Sequence, residues 1–219
     1  MPNFESIRMA DLSIDQLMEI HLSHIEFSFT KDFVVHSSLN SLEMNMIHSK
    51  ALKKSNPFAP ILCAFAILDQ LGTTYKIKNN HCRLTNGIKR SITLFYEEPI
   101  SMDQINSLVS FRNGAVHNGS FSNYDKYNKI HSMFRFNNNI DSIIKLPDRP
   151  WDGSGDDFEE DVCTYINKDM FIKLTIDILS KVRDLFQKNN IYTELDNESF
   201  IHRFILWADK DQFLKKNSI

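Results

Sequence analysis

The stretch "SFRNGAVHNGSF", Ser110–Phe121, sets an arginine and a histidine five positions apart inside an apolar helical pattern, just ahead of an Asn-Gly stop. At about 100° per residue, Ile105, Leu108, Val109 and Val116 form one stripe, and Arg112 falls in its middle. Asn113 and His117, four apart, share a neighbouring face. An arginine cannot shed its charge, and leaving one buried without a partner costs about 3–5 kcal/mol. Arg112 therefore has to meet a carboxylate, a second subunit or a bound anion. Asp69 meets the first requirement by the same geometry, because it follows Leu62 by seven and Phe65 by four on another apolar stripe. Two readings stay open on residue types alone: an Asp69–Arg112 pair joining two core helices, or a polar site built from Arg112, Asn113, His117 and Asp69.

Working outward, most of the chain reads as helix. The motif helix opens at Ser101 with Gln104 three residues on, a capping box, and stops at Asn118-Gly119. Upstream, "SIDQLMEIHLSHIEFSF" (13–29) repeats Leu17, Ile20 and Ile25. "NPFAPILCAFAILDQLG" (56–72) is more apolar and ends at Gly72. "NGIKRSITLFYEE" (86–98) carries Thr85 or Asn86 at its cap. Downstream the period changes. "KIHSMFRFNNNIDSIIKLP" (129–147) alternates Ile130, Phe134 and Phe136, then Ile144 and Leu146, around an Asn-rich turn, which predicts a β-hairpin. "DRPWDGSGDDFEED" (148–161) predicts a loop, with Trp151 as an anchor for the hairpin. "NKDMFIKLTIDILSKVRDLFQKNN" (167–190) and "DNESFIHRFILWADKDQFLKK" (196–216) return to helical spacing. The expectation is a single mainly α domain over 1–219 with an insertion at about 120–167.

The 219 residues carry a formal charge of −3, so any nucleic-acid contact must come from a local patch. Cys63, Cys82 and Cys163 lie far apart with no CxxC spacing, which argues against a zinc knuckle or disulfide scaffold and suits a reducing cytosol. The first dozen residues show no signal-peptide pattern, and "PILCAFAIL" falls far short of the ~20 residues of a membrane span. The expectation is a cytoplasmic chain with no membrane partner.

"FRNGAVHNG" resembles the signature of the HEPN superfamily (higher eukaryotes and prokaryotes nucleotide-binding domains): an arginine, a polar residue, then a histidine after four to six positions. Here four residues separate Arg112 from His117. The resemblance implies an antiparallel helical bundle, from which the small β-hairpin insertion after the motif helix departs. It also implies a homodimer whose two motifs face each other as a metal-independent RNA-cleaving site, with no cofactor. Arg112 and His117 would be its catalytic pair and Asn113 their support. Asp69 matches an additional polar or acidic residue that active members often carry on an earlier helix. Members of the superfamily also serve as toxins or phage-defence effectors, with an antitoxin or nucleotidyltransferase partner, or as non-catalytic RNA-, nucleotide- or protein-binding modules.

The chemistry is coherent with these residue types. RNA supplies its own nucleophile, the 2′-OH. An imidazole can take that proton or return one to the leaving 5′-oxygen, and a guanidinium fork meets the charge that develops at phosphorus. From Gln70 to Tyr96 there is no acidic residue, while Lys76, Lys78, Arg83, Lys89 and Arg90 all occur. This segment could hold an RNA backbone or be a solvated face. His21 and His24 have ligand-like spacing but no third ligand nearby, so no metal site is expected there. "DGSGDDFEED" lacks the glycine and glutamate placement of a calcium loop. Cys63, in an apolar helix, reads as packing rather than as a nucleophile.

Overall fold

Helix α3 (Phe58–Thr74) is the element around which the rest of the chain packs. The computed structural model describes residues 4–51 and 58–216. Asn56 and Pro57, where the sequence pattern starts this helix, lie outside the described residues. Ile61, Ala64, Phe65, Leu68 and Leu71 of α3 are fully buried. Against them pack α2 (Ser38–Ala51), α4 (Gly87–Phe95), α5 (Met102–Asn118) and α6 (Lys168–Gln187). Gly72 permits the closest of these approaches: a Cβ there would overlap the carbonyl oxygen of Gly87 at the head of α4. Asn86 caps α4 by accepting from the Lys89 N–H, as its position in the sequence suggests.

The remaining helices are α1 (Ile14–Leu22), α7 (Asn197–Phe204) and α8 (Lys210–Lys216). The strands overturn the expected architecture. Among the described residues nine short strands form three sheets, so the fold is mixed α/β rather than a mainly α, antiparallel helical bundle carrying one hairpin. In the first sheet β2 (Phe33–Ser37) lies between β1 (Ser28–Phe29) and β9 (Ile205–Asp209), antiparallel to both. Two patterns read as continuous helix are thereby broken. The 13–29 segment leaves the helix after Leu22, and the 196–216 segment becomes α7, β9 and α8. Ile205, Leu206 and Trp207 favour a strand once a partner is present, and pairing with β2 overrides their helical spacing.

The second sheet is a ribbon of β3 (Lys76–Ile77) and β8 (Ile191–Tyr192). The third replaces the expected hairpin. β4 (Ser122–Asp125) pairs antiparallel with β5 (Ile130–Phe136), and β5 pairs in parallel with β7 (Cys163–Ile166). β6 (Ile144–Lys145) pairs with β7. The Asn-rich turn thus does not join paired strands. The true hairpin turn lies at residues 126–129, where Lys129 takes a φ of 56°. Trp151 does anchor the insertion: it packs beside Met133, Val162 and Cys163 and bridges to His131.

One buried titratable group makes a pH prediction. His21 is fully buried on α1, with Nδ1 2.6 Å from the Tyr75 hydroxyl and Nε2 3.4 Å from Gln70 Oε1. Burial pushes its pKa from 6.5 to about 3, and the nearby Arg183 charge adds to the fall. The folded chain keeps His21 neutral where the unfolded chain protonates it. Its contribution is therefore whole above pH 6.5 and is lost as pH falls from there towards about 3, by up to about 1.4 kcal/mol per pH unit. Denaturant titrations across this range should show His21→Gln losing stability with acid less steeply than the wild type, by about one proton. Equal slopes would exclude His21 as the group responsible.

Candidate active site

Helix α5 is fixed at both ends by local chemistry. Its N-terminus has the capping box, with the Gln104 N–H donating to Ser101 Oγ at 3.2 Å and the Ser101 N–H donating to Gln104 Oε1 at 2.9 Å. Gln104 Nε2 also donates to the Ile144 carbonyl, tying this end to β6. At the other end Gly119 is left-handed, with a φ of 59°, and returns its N–H to the Gly114 carbonyl. Gly114 itself lies against β4, where a Cβ would overlap the Ser122 carbonyl.

The buried face of α5 differs from the expected stripe. Ile105, Leu108, Phe111 and Ala115 are buried, whereas Val116 is 47% exposed and Val109 half-buried. The core-facing arc is rotated by about 60° from the stripe through Val109 and Val116. Phe111 is its anchor, packed against Phe65 of α3 at 5.8 Å and against Phe134 of β5 at 5.1 Å. Arg112 therefore stands at the edge of the core, half-buried, and not in the middle of it. This answers why the helix carries arginine there: no leucine is needed at that angle.

Arg112, Asn113 and His117 come together. Arg112 Nη1 lies 3.3 Å from Asn113 Oδ1 and 3.2 Å from His117 Nε2. A guanidinium can only donate, so in this arrangement Nε2 accepts and His117 carries its proton on Nδ1. The expected Asp69–Arg112 pair is not formed. Among the described residues no carboxylate reaches the Arg112 guanidinium, and the Asp69 side chain lies instead beside Gly87, between α3 and α4. The buried ion pair of this fold is a different one: Arg183 of α6 meets Glu43 of α2, each side chain 11% exposed.

Compared with known protein families, curated proteins and solved structures, the chain matches none of them.

The five basic residues upstream are spread over three elements of the chain, the β3–β8 ribbon, the loop after it and α4. Lys76 pairs with Glu194, and Lys78 donates to Asn189 Oδ1 at 2.7 Å, both at the β3–β8 ribbon. Arg83 is exposed in the loop before α4. Arg90 is half-buried, and among the described residues its Nε has no hydrogen-bond partner. Lys89 lines the same groove as Asn113. Among the described residues no group of three or more His, Cys, Asp or Glu is placed to hold a metal ion. Two acids of the 148–161 loop serve Arg149, which holds Asp157 through two bonds of 2.7 Å and Asp161 through a third. No helix among the described residues is long and apolar enough to cross a membrane.

The groove itself went unread in the sequence. It occupies about 910 Å³ between α5, the β4–β5 hairpin and residues 147–151. The Tyr124 and His131 rings stack at 4.3 Å on its hairpin side. Asn123 Nδ2 donates to Ser110 Oγ at 3.1 Å, linking hairpin to helix. The only sequence clue was the run of tyrosines and asparagines at 123–128, and it gains meaning once the β4–β5 register puts Tyr124 opposite His131.

Proposed function

We propose that the cluster at the end of α5 cleaves RNA, as the HEPN-like motif implies, with Arg112 and His117 as the catalytic pair and Asn113 holding them in place. The observation that carries this reading is the Arg112 guanidinium: half-buried, without a carboxylate among the described residues, and spanning Asn113 and His117. Such a fork has donors left for a phosphate. In the reaction, His117 Nε2 takes the 2′-OH proton as the 2′-oxygen bonds to phosphorus. The P–O5′ bond breaks, and the 5′-oxygen receives a proton, leaving a 2′,3′-cyclic phosphate and a 5′-OH. Arg112 steadies the charge that grows on the phosphoryl oxygens.

The cluster stands near a helix C-terminus, where the dipole disfavours anions. A second copy of the chain would offset this by bringing another Arg112 and a His117 to donate the leaving-group proton. Val116, exposed one helical turn from Arg112, gives such a homodimer an apolar contact. The role proposed for the enzyme is that of a cytoplasmic toxin or phage-defence effector, restrained by an antitoxin or a nucleotidyltransferase partner.

One observation favours a second reading, an RNA- or nucleotide-binding module without catalysis. The Arg112–His117 bond occupies the Nε2 lone pair that a general base needs. Incubating purified chain with cellular RNA in chelator separates the two. The expected result is cleavage with cyclic-phosphate and 5′-OH ends, whereas binding without cleavage supports the module.

A further inference from the structure

We propose that the groove beside α5 receives the nucleobases of single-stranded RNA next to the phosphate at Arg112, an inference that rests on the nucleic-acid reading of that cluster. Continuity is the first argument. Asn113 lines the groove and its Oδ1 accepts from Arg112, so one residue belongs to both places. A strand with a phosphate at Arg112 would lead its adjacent bases straight into the cavity. Its volume of about 910 Å³ lies near the upper end of the roughly 300–1,000 Å³ usual for organic ligands.

The lining suits bases better than backbone. Tyr124 is 45% exposed and is backed by His131 at 4.3 Å, so a supported aromatic face is open for stacking. Trp151 stands edge-on behind His131 and completes the aromatic wall. Polar capacity remains in neutral amides. With Asn123 Nδ2 donated to Ser110 and Asn113 Oδ1 taken by Arg112, an acceptor on Asn123 and a donor on Asn113 are left over. That is the pairing needed to read the donor and acceptor edge of an unpaired base. Charge argues the same way: Lys89, Lys126 and Arg149 are matched along the groove by Asp103, Asp125 and Asp148. A polyanionic backbone gains little along such a wall, whereas a neutral planar ring loses nothing.

The test uses the full chain carrying His117→Ala, which slows cleavage enough for binding to be read, and labelled octaribonucleotides of each base followed by fluorescence anisotropy. Adding Tyr124→Ala should weaken binding by about tenfold, within the range of a lost base–aromatic stack, and Tyr124→Phe should restore it. The salt slope should be shallow, between about −0.7 and −1.4, as expected for one or two phosphate contacts on a single strand. Should Tyr124→Ala fail to fold, Tyr127→Ala reads the same groove from a ring that is 98% exposed. Unchanged affinity in the folded tyrosine variants overturns the groove, even where the wild type still cuts RNA. Tyrosine-dependent binding by a wild type that never cuts upholds the groove and removes the ribonuclease reading. Neither binding nor cutting overturns both.

Discussion

Replacing His117 by alanine is expected to slow RNA cleavage by roughly 10²–10⁴-fold, the usual yield of a positioned acid–base group. The folded chain should be almost unaffected. His117 is exposed in the last turn of α5, and among the described residues its one hydrogen bond is to Arg112. Surface changes of this kind stay within about 0.5 kcal/mol. Arg112→Ala should cost about 10²–10³-fold in rate, as when one transition-state donor is removed. Arg112→Lys keeps the charge but not the planar fork that reaches Asn113 and His117 together, so it should recover little. Single-turnover cleavage beside thermal melting checks all three. A His117→Ala chain that cuts at the wild-type rate would sink the mechanism. If two copies share the site, specific activity should also rise with protein concentration.

The second large effect is on stability. Arg183 Nη1 and Nη2 donate to the two Glu43 carboxylate oxygens at 3.0 and 2.6 Å, and Nε donates to the Leu22 carbonyl at 2.7 Å. One side chain on α6 thus ties the end of α1 to α2. Arg183→Ala strands a carboxylate and a main-chain carbonyl together, with an expected loss of about 3–5 kcal/mol. In a chain of this size each kcal/mol moves the melting point by about 2–4 °C, so a fall of roughly 6–20 °C should appear by calorimetry. The pair is also replaceable. Glu43→Leu with Arg183→Met should recover much of the loss, because desolvating two charges offsets most of what their attraction returns. A double variant as unstable as Arg183→Ala would show the ion pair itself to be indispensable.

Legibility in the sequence followed the range of the interactions. The capping box at Ser101, the Asn86 cap and the Gly119 stop are settled within one turn of chain, and all were readable. The meeting of Arg112, Asn113 and His117 was readable for the same reason, as a matter of spacing along one helix. The phase of α5 was not, because Phe111 and Ala115 were left out of the stripe; including them moves the buried arc off Val116. The sheets were least legible. Strands of two residues, such as β1, β3, β6 and β8, show no alternation, and their pairing depends on partners distant in the chain. The buried ion pair shows a mixed case. Arg183 follows Leu179 by four on an apolar stripe, the same pattern that drew attention to Arg112. Its partner Glu43 lies on α2, a helix that spacing alone did not reveal.

The clasp between β2 and β9 has a consequence for how this chain is made. Val34 lies opposite Ala208, and Ser37 opposite Ile205. A ribosome delivers the first of these long before the second. Until residues 205–209 emerge, one edge of β2 has its amide and carbonyl groups unmatched, while Val34 and Val35 beside them are apolar residues that end up buried. The sheet can then close only after translation has passed the end of α7 and delivered β9, so β2 is open to wrong pairings until then.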